Sequence, residues 1–143
     1  MAENRRVLVD AGAIVSFLDR REQYHAAVDG LFRELPKPFY TCESVVSEAY
    51  FLFRRSTIAQ QKVIGLITSG AVVIDFSLAY EIEGVAALLK KYENVPMSLA
   101  DACLVRMSEV SSGTLVFTLD SDFKIYRRNR NKLIPLIMPE GLR

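Results

Sequence analysis

Four acidic residues occupy positions from which their carboxylates could act together. Asp10 ends the first β-rich run, RVLVD, and Asp120 lies two residues beyond another such run, TLVFT. Glu48 and Asp101 fall in the early turns of helices that follow a turn or a loop. Carboxylates gathered at one edge of a sheet supply the oxygen ligands that hard divalent cations such as Mg²⁺ require. The residue types and positions therefore favour an acidic metal pocket.

Each acid also has a purely structural interpretation, which spacing alone leaves open. Asp10 and Asp120 are suited to cap the helix and the turn that follow them. Ser98 and Asp101 have the spacing of a capping box, in which each side chain accepts a hydrogen bond from the other residue's amide. Glu48 lies near a helix N-terminus, where the helix dipole favours an acid. The metal hypothesis rests on all four acids meeting at one predicted sheet edge.

The elements that must position these acids alternate between strands and helices. Apolar runs predict strands at Arg6–Asp10, Phe39–Thr41, Ala71–Phe76, Thr114–Thr118 and Leu133–Met138, the last at an edge because Pro135 cannot donate to a ladder. Periodic apolar residues predict helices at Ala13–Leu18, Tyr24–Leu35, Thr57–Thr68 and Leu78–Leu89, and two more that begin at the caps Ser44 and Ser98. Such alternation makes a sheet parallel and covers both of its faces. We therefore predict an α/β fold with three layers, α/β/α, around a central, mainly parallel sheet.

Length and composition narrow the classes of protein. The chain has 143 residues, with 18 Lys plus Arg, 17 Asp plus Glu and a net charge of +1. We expect residues 1–143 to form a single domain, in which any nucleic-acid contact depends on local placement of charge. The polar N-terminus has no apolar segment typical of a secretory signal, and no apolar run is long enough to cross a membrane. A soluble cytoplasmic protein is expected.

Metal-ligating residues other than acids are few. Cys42 and Cys103 lie far apart in the sequence, and His25 is the single histidine. This set does not have the spacing of a structural zinc site. We expect the cysteines to be small core residues near the acids, and His25 to lie at the surface of a polar helix start.

Four segments of the chain resemble the PIN domain family, and most closely the VapC-type toxins. Val7–Gly12 resembles the opening strand with its acid, and Thr41–Ala49 resembles the T-x-x-V-x-x-E segment. Met97–Cys103 resembles the D-A-x helix, and Phe117–Phe123 resembles the closing T-x-D-x-D-F turn. The four segments occur in the family's order and span nearly the whole chain. The resemblance implies a PIN fold and a metal-dependent ribonuclease.

The resemblance also implies a role for each acid. It assigns binding of Mg²⁺ or Mn²⁺ to Asp10, Glu48, Asp101 and Asp120, with Asp122 as a fifth ligand, and it gives Thr118 the role of orienting a water or an acid. The implied reaction is hydrolysis of an RNA phosphodiester, in which the metal acidifies water and offsets charge in the transition state. One departure concerns activity: Ala11, Gly12 and Ala13 stand where many relatives carry Ser, Thr or Asn.

Partners follow from the same resemblance and from charge. Relatives bind a small protein antitoxin that places a cation against the carboxylates, and they form homodimers. An apolar patch for dimerisation is expected near Tyr24–Leu35 or Thr57–Thr68. The basic run Arg127, Arg128, Arg130 and Lys132 either contacts RNA phosphate or is a solvated loop. Tyr126 is expected to pack beneath this loop.

Two alternatives remain from the sequence. The first is a PIN-fold binding or regulatory module with weak or no catalysis. The second is a phosphoryl-transfer domain, either receiver-like or a haloacid-dehalogenase-like phosphatase, since both place an aspartate at the end of the first strand. The phosphatases require a second aspartate two residues on, where this chain has Gly12. A receiver requires a lysine after its last core strand and acids paired near the first, whereas two of the four acids here, Glu48 and Asp101, lie in predicted helices.

Overall fold

The computed structural model describes residues 5–142. Its strands are β1 (Arg6–Val9), β2 (Phe39–Thr41), β3 (Val72–Ile74), β4 (Thr114–Phe117), β5 (Arg127–Arg128), β6 (Lys132–Leu133) and β7 (Leu136–Ile137). Its helices are α1 (Ala11–Leu18), α2 (His25–Glu34), α3 (Glu43–Leu52), α4 (Thr57–Thr68), α5 (Ile82–Lys91) and α6 (Leu99–Val110). The start of the N-terminal segment that argued against a secretory signal, residues 1–4, lies outside the described residues.

Five of the strands form one sheet in the order β3-β2-β1-β4-β7, and every neighbouring pair is parallel. The central strand β1 pairs Leu8 with Tyr40 of β2 and with Val116 of β4. Its residues Val7–Val9 are buried, because helices cover the sheet on both faces. The predicted three-layer α/β/α fold with a mainly parallel sheet is confirmed.

Four phenylalanines from α1, α2, β2 and β4 make an aromatic cluster at the centre of the core. Phe32 stacks on Phe17 with ring centroids 4.0 Å apart and packs edge-on against Phe39 at 4.7 Å. Phe117 completes the cluster, 5.4 Å from Phe32. Stacked and edge-to-face pairs of this kind add to the stabilisation from burial. The aromatic cluster packs α1 against α2, and α2 against β2 and β4.

The predicted strand Leu133–Met138 is split in two. Its first part, β6, pairs with β5 in an antiparallel hairpin, which the basic run forms instead of a loop. Its second part, β7, is the predicted edge strand, beside β4. Pro135 has no amide proton for either ladder, but its carbonyl accepts a hydrogen bond from Val116 N. The chain therefore changes sheet at the proline.

Two helix starts also differ from the prediction. Ser44 is not a cap: Cys42 leaves β2 in an extended conformation and α3 begins at once at Glu43. The helix expected from Leu78 begins at Ile82, because residues 77–81 form a turn in which Glu81 N donates to Ser77 O. Among residues 5–142, no helix is long and apolar enough to cross a membrane.

Candidate active site

The site begins where the central strands β1 and β4 end side by side. Val9 pairs with Phe117, and Asp10 N donates to Phe117 O at 3.0 Å. The next residues along each strand are therefore neighbours, and Thr118 Oγ1 donates to Asp10 Oδ2 at 2.8 Å. Thr118 Oγ1 also accepts from Asp120 N at 3.0 Å. One buried hydroxyl thus connects the first and the last of the predicted acids.

Asp10 is both a helix cap and a member of the acidic group. Its Oδ1 accepts from Ala11 N at 2.8 Å, which confirms its predicted role as cap of α1. The side chain is buried, and burial raises the pKa of Asp10 to about 7. The hydrogen bonds from Thr118 and Ala11 lower this pKa, while the charges of Asp101 and Glu48 raise it further. Ala11 and Ala13 are buried, and neither they nor Gly12 adds a polar side chain here.

Asp101 lies in the first turn of α6 and forms the predicted capping box. Asp101 N donates to Ser98 Oγ at 3.0 Å, and Ser98 N donates to Asp101 Oδ2 at 3.4 Å. The same Oδ2 accepts from Tyr126 Oη at 2.9 Å. Burial raises the pKa of Asp101, the Tyr126 and Ser98 hydrogen bonds oppose the shift, and the charge of Asp120 adds to it. Within residues 5–142, no hydrogen bond reaches Asp101 Oδ1.

Asp120 caps the short 3₁₀ turn Ser121–Lys124, as predicted. Its Oδ1 accepts from Asp122 N at 2.9 Å. The Asp122 side chain is half-buried, and its charge acts on Tyr126. Asp122 is not among the groups that shift the pKa of Asp10, Glu48 or Asp101.

Glu48 approaches the other acids from α3. Its side chain is exposed, and no hydrogen bond to it is found in the part of the chain that the structure describes. Partial burial raises its pKa, and the charges of Asp101 and Asp120 raise it further. We refer to Asp10, Glu48, Asp101 and Asp120 together as the acidic cleft.

The acidic cleft has the donor chemistry of a site for a hard cation. Neighbouring acids of the cleft raise the pKa of Asp10, Glu48 and Asp101, so a divalent cation would relieve repulsion that the protein alone leaves in place. Carboxylate oxygens suit Mg²⁺ and Mn²⁺. In residues 5–142, no group of three or more Asp, Glu, His or Cys side chains is already close enough to hold an ion. Like charges favour such separation when no cation lies between them.

Tyr126 is a member of the site that sequence reasoning identified only as a packing residue. It is fully buried and packs as expected, with Phe123 and Tyr92 each 5.2 Å away between ring centroids. Burial and then the charge of Asp101 raise its pKa, so the phenol stays a hydrogen-bond donor. The sequence around Tyr126 does not indicate that its hydroxyl binds Asp101, because this contact depends on how α6 packs beside the turn.

The basic run divides into two inner and two outer residues. The Arg127 guanidinium donates to the carbonyls of residues 124–126, and that of Arg128 donates to Ser108 O at 3.3 Å. Arg130 and Lys132 are exposed, and neither side chain forms a hydrogen bond or ion pair to another described residue. These two cations are the ones available to a ligand.

The two cysteines are buried as predicted, whereas His25 is not at the surface. Cys42 and Cys103 are buried, as expected. The Cys103 thiol and burial raise the pKa of Cys42, which precedes α3, and the Cys42 thiol lowers the pKa of Cys103 in α6. His25 is half-buried rather than on the surface, because its Nδ1 lies 2.7 Å from Ser16 O in a hydrogen bond.

Comparisons with known proteins agree with this geometry. The model of the PIN domain family matches residues 7–129. No curated protein sequence is significantly similar to the chain. Among solved structures, that of Mycobacterium tuberculosis VapC20, a sarcin–ricin loop cleaving toxin, superposes with a TM-score of 0.75 at 17% identity, over 83% of this chain and 93% of that one. With the family model covering most of the sequence, the chain belongs to the PIN domain family.

Proposed function

We propose that this protein is a metal-dependent endoribonuclease and the toxin of a toxin–antitoxin pair. The observation that carries the proposal is the acidic cleft, where the ends of β1 and β4, the middle of α3 and the start of α6 bring carboxylates close enough for their charges to interact. Membership of the PIN family and the fold of a known ribonuclease toxin support it. Residues 1–143 form a single cytoplasmic domain in this proposal.

Each residue of the site has a part in the proposed reaction. Asp10, Glu48, Asp101 and Asp120 would hold Mg²⁺ or Mn²⁺, with Asp122 as an outer ligand. When bound, the cation supplies positive charge beside the scissile phosphate and acidifies water. Thr118 orients Asp10 through its 2.8 Å hydrogen bond and aligns the turn that carries Asp120 through its 3.0 Å bond.

RNA is the proposed substrate, and the outer cations of the hairpin are its proposed phosphate contacts. Arg130 and Lys132 are exposed, whereas Arg127 donates to carbonyls of residues 124–126 and Arg128 donates to Ser108 O of α6. Removing a phosphate contact should reduce the salt dependence of RNA binding. Arg130→Ala and Lys132→Ala should therefore weaken RNA binding and flatten its salt dependence without changing the melting temperature.

A small protein antitoxin is the proposed partner at the cleft. An open groove of about 610 Å³ runs beside Glu48 and is lined by Glu43, Phe51 and Leu99 among others. Phe51 and Leu99 are exposed apolar residues, and they line the same groove as the acids Glu43 and Glu48. A peptide with an apolar side chain next to an arginine or lysine complements such a groove, and its cation would compete with metal.

A homodimer is part of the same proposal. Of the two helices expected to carry an apolar patch, α4 exposes Ile58 and Ile64, whereas α2 exposes no large hydrophobic residue. The patch therefore belongs to α4 if the chain self-associates. Sizing of the wild type and of Ile58→Asp tests this: a dimer that becomes a monomer supports the patch, and a wild-type monomer contradicts it.

The experiment that tests the proposed function is cleavage of RNA by the purified chain. Cleavage should require Mg²⁺ or Mn²⁺, stop in EDTA and be lost in Asp101→Asn. Expression in bacteria should arrest growth, and the same substitution should relieve the arrest. Undiminished cleavage in EDTA would contradict a metal-dependent reaction.

A protein that folds and binds RNA but never cleaves it would support the alternative, a PIN-fold binding module. The Ala11–Ala13 segment favours this alternative, because it has no polar side chain where many relatives carry Ser, Thr or Asn. The receiver-like and phosphatase alternatives have no support once the family model matches residues 7–129.

A further inference from the structure

The carboxylate of Asp101 is held from one side only. Its Oδ2 accepts from Tyr126 Oη at 2.9 Å and, more weakly, from Ser98 N at 3.4 Å. Its Oδ1 has no hydrogen bond within the described range 5–142. The tyrosine thus binds one oxygen of the carboxylate and leaves the other available to the acidic cleft.

Tyr126 cannot easily turn away from this contact. The residue is fully buried, and the rings of Phe123 and Tyr92 pack against its own ring at 5.2 Å each. Its backbone is fixed as well, because Tyr126 N donates to Asp122 O at 3.1 Å. A phenol in such a slot presents its hydroxyl proton in one direction. That direction is set by the 3₁₀ turn that follows Asp120.

We propose that Tyr126 is a positioning residue that orients Asp101 and thereby sets the affinity of the acidic cleft for divalent cations. The inference rests on the proposed function, since it takes the cleft to be a metal site. Hydrogen bonds to a ligating carboxylate fix its direction, and their removal commonly weakens metal binding or activity by 10- to 100-fold.

A merely structural tyrosine would behave differently, and the chain offers a matched control. Tyr92 is a neighbouring buried tyrosine whose hydroxyl accepts from Arg127 N at 2.7 Å and, within residues 5–142, forms no hydrogen bond to an acid of the cleft. Tyr126→Phe and Tyr92→Phe each remove one buried hydroxyl and keep the ring. A loss of packing or of one hydrogen bond is common to both variants, but a loss of Asp101 orientation is specific to the first.

The experiment measures Mn²⁺ binding without RNA, by electron paramagnetic resonance at fixed pH, in the wild type and both variants. We expect Tyr126→Phe to bind Mn²⁺ about tenfold more weakly and Tyr92→Phe to bind like the wild type. Cleavage by Tyr126→Phe should need correspondingly more Mn²⁺ for its half-maximal rate. In an Asp101→Asn background, Tyr126→Phe should change the residual affinity no further, because the tyrosine acts through Asp101. Melting in EDTA checks that each variant folds.

Three results would overturn the inference. Wild-type Mn²⁺ affinity in folded Tyr126→Phe would show that the hydroxyl does not matter to the cleft. Equal losses in the two phenylalanine variants would assign the effect to general packing. A further loss on top of Asp101→Asn would show that the tyrosine acts elsewhere. If instead the wild type neither binds Mn²⁺ nor cleaves RNA, the proposed function fails and the inference fails with it.

Discussion

The aromatic cluster and the acidic cleft meet at the end of β4, but neighbouring side chains attract one another in the first and repel one another in the second. Phe117 ends β4 inside the aromatic cluster, where every neighbouring ring adds a favourable contact. Thr118 follows directly and donates to Asp10 of the acidic cleft, where the charges of Asp101 and Glu48 raise the pKa of Asp10. The first region stabilises the fold by itself. In the second, burial and the charges of neighbouring acids disfavour the ionised carboxylates, and hydrogen bonds to Asp10 and Asp101 oppose this effect only in part.

The largest effect is expected in the aromatic cluster. Phe32 is buried and contacts three other rings, so Phe32→Ala should lower the free energy of unfolding by about 3–5 kcal/mol. Phe51→Ala is the control, because Phe51 is 61% exposed and its loss should change stability by less than about 0.5 kcal/mol. Urea unfolding measures both. Equal losses would mean that the cluster is not the stabilising region.

The second largest effect is expected in the acidic cleft, where a bound divalent cation should stabilise the folded protein. A cation that binds only the folded state should stabilise it by about 2.7 kcal/mol at a hundredfold excess over its Kd. Mn²⁺ should therefore raise the melting temperature of the wild type, and should raise that of Asp101→Asn much less. A rise of the same size in both proteins would place the ion outside the acidic cleft.

A pair of buried threonines tests whether the cleft and the rest of the sheet edge differ. Thr118 donates to Asp10, whereas Thr41 donates to Val9 O at 2.9 Å, and both side chains are fully buried. Thr118→Val and Thr41→Val should each cost about 1–2 kcal/mol of stability, since each leaves a buried polar group unpaired. Only Thr118→Val should also slow RNA cleavage. Comparable cleavage by the two variants would argue against the orienting role of Thr118.

The smallest effect per pH unit is the part of the pH dependence of stability that Asp10 contributes. Burial raises the pKa of Asp10 to about 7, against about 3.9 in an unfolded chain. Between these values the folded state keeps a proton that the unfolded state has lost. The free energy of unfolding should therefore fall as the pH rises from about 4 to about 7, by on the order of 1 kcal/mol per pH unit.

Asp10→Asn cannot titrate and should lack this component of the pH dependence. Denaturant unfolding in EDTA across this range compares the two proteins. The free energy of unfolding of Asp10→Asn should rise relative to that of the wild type as the pH rises, because only the wild type must then ionise the buried Asp10 carboxylate. Parallel curves would show that Asp10 has an ordinary pKa in the folded chain.

Sequence patterns predicted well what depends on a few consecutive residues. The helix Thr57–Thr68, the strand Phe39–Thr41 and the capping box of Ser98 and Asp101 are as expected. Turns, caps and periodic apolar faces are short-range properties, and their residue preferences are strong. The cap at Ser44 was wrong because Cys42 leaves its strand already extended and is itself the N-cap, so the helix begins two residues earlier.

The sequence by itself determined which acids end strands or begin helices, and thus the composition of the acidic cleft. Only the tertiary structure decided which atoms meet. Parallel pairing of β1 with β4 brings Thr118 to Asp10, 108 positions away. Packing of α6 beside the 3₁₀ turn brings Tyr126 to Asp101, and the hairpin ties Arg127 and Arg128 inward while Arg130 and Lys132 face solvent. These contacts depend on strand register and helix packing, which no local stretch of residues encodes.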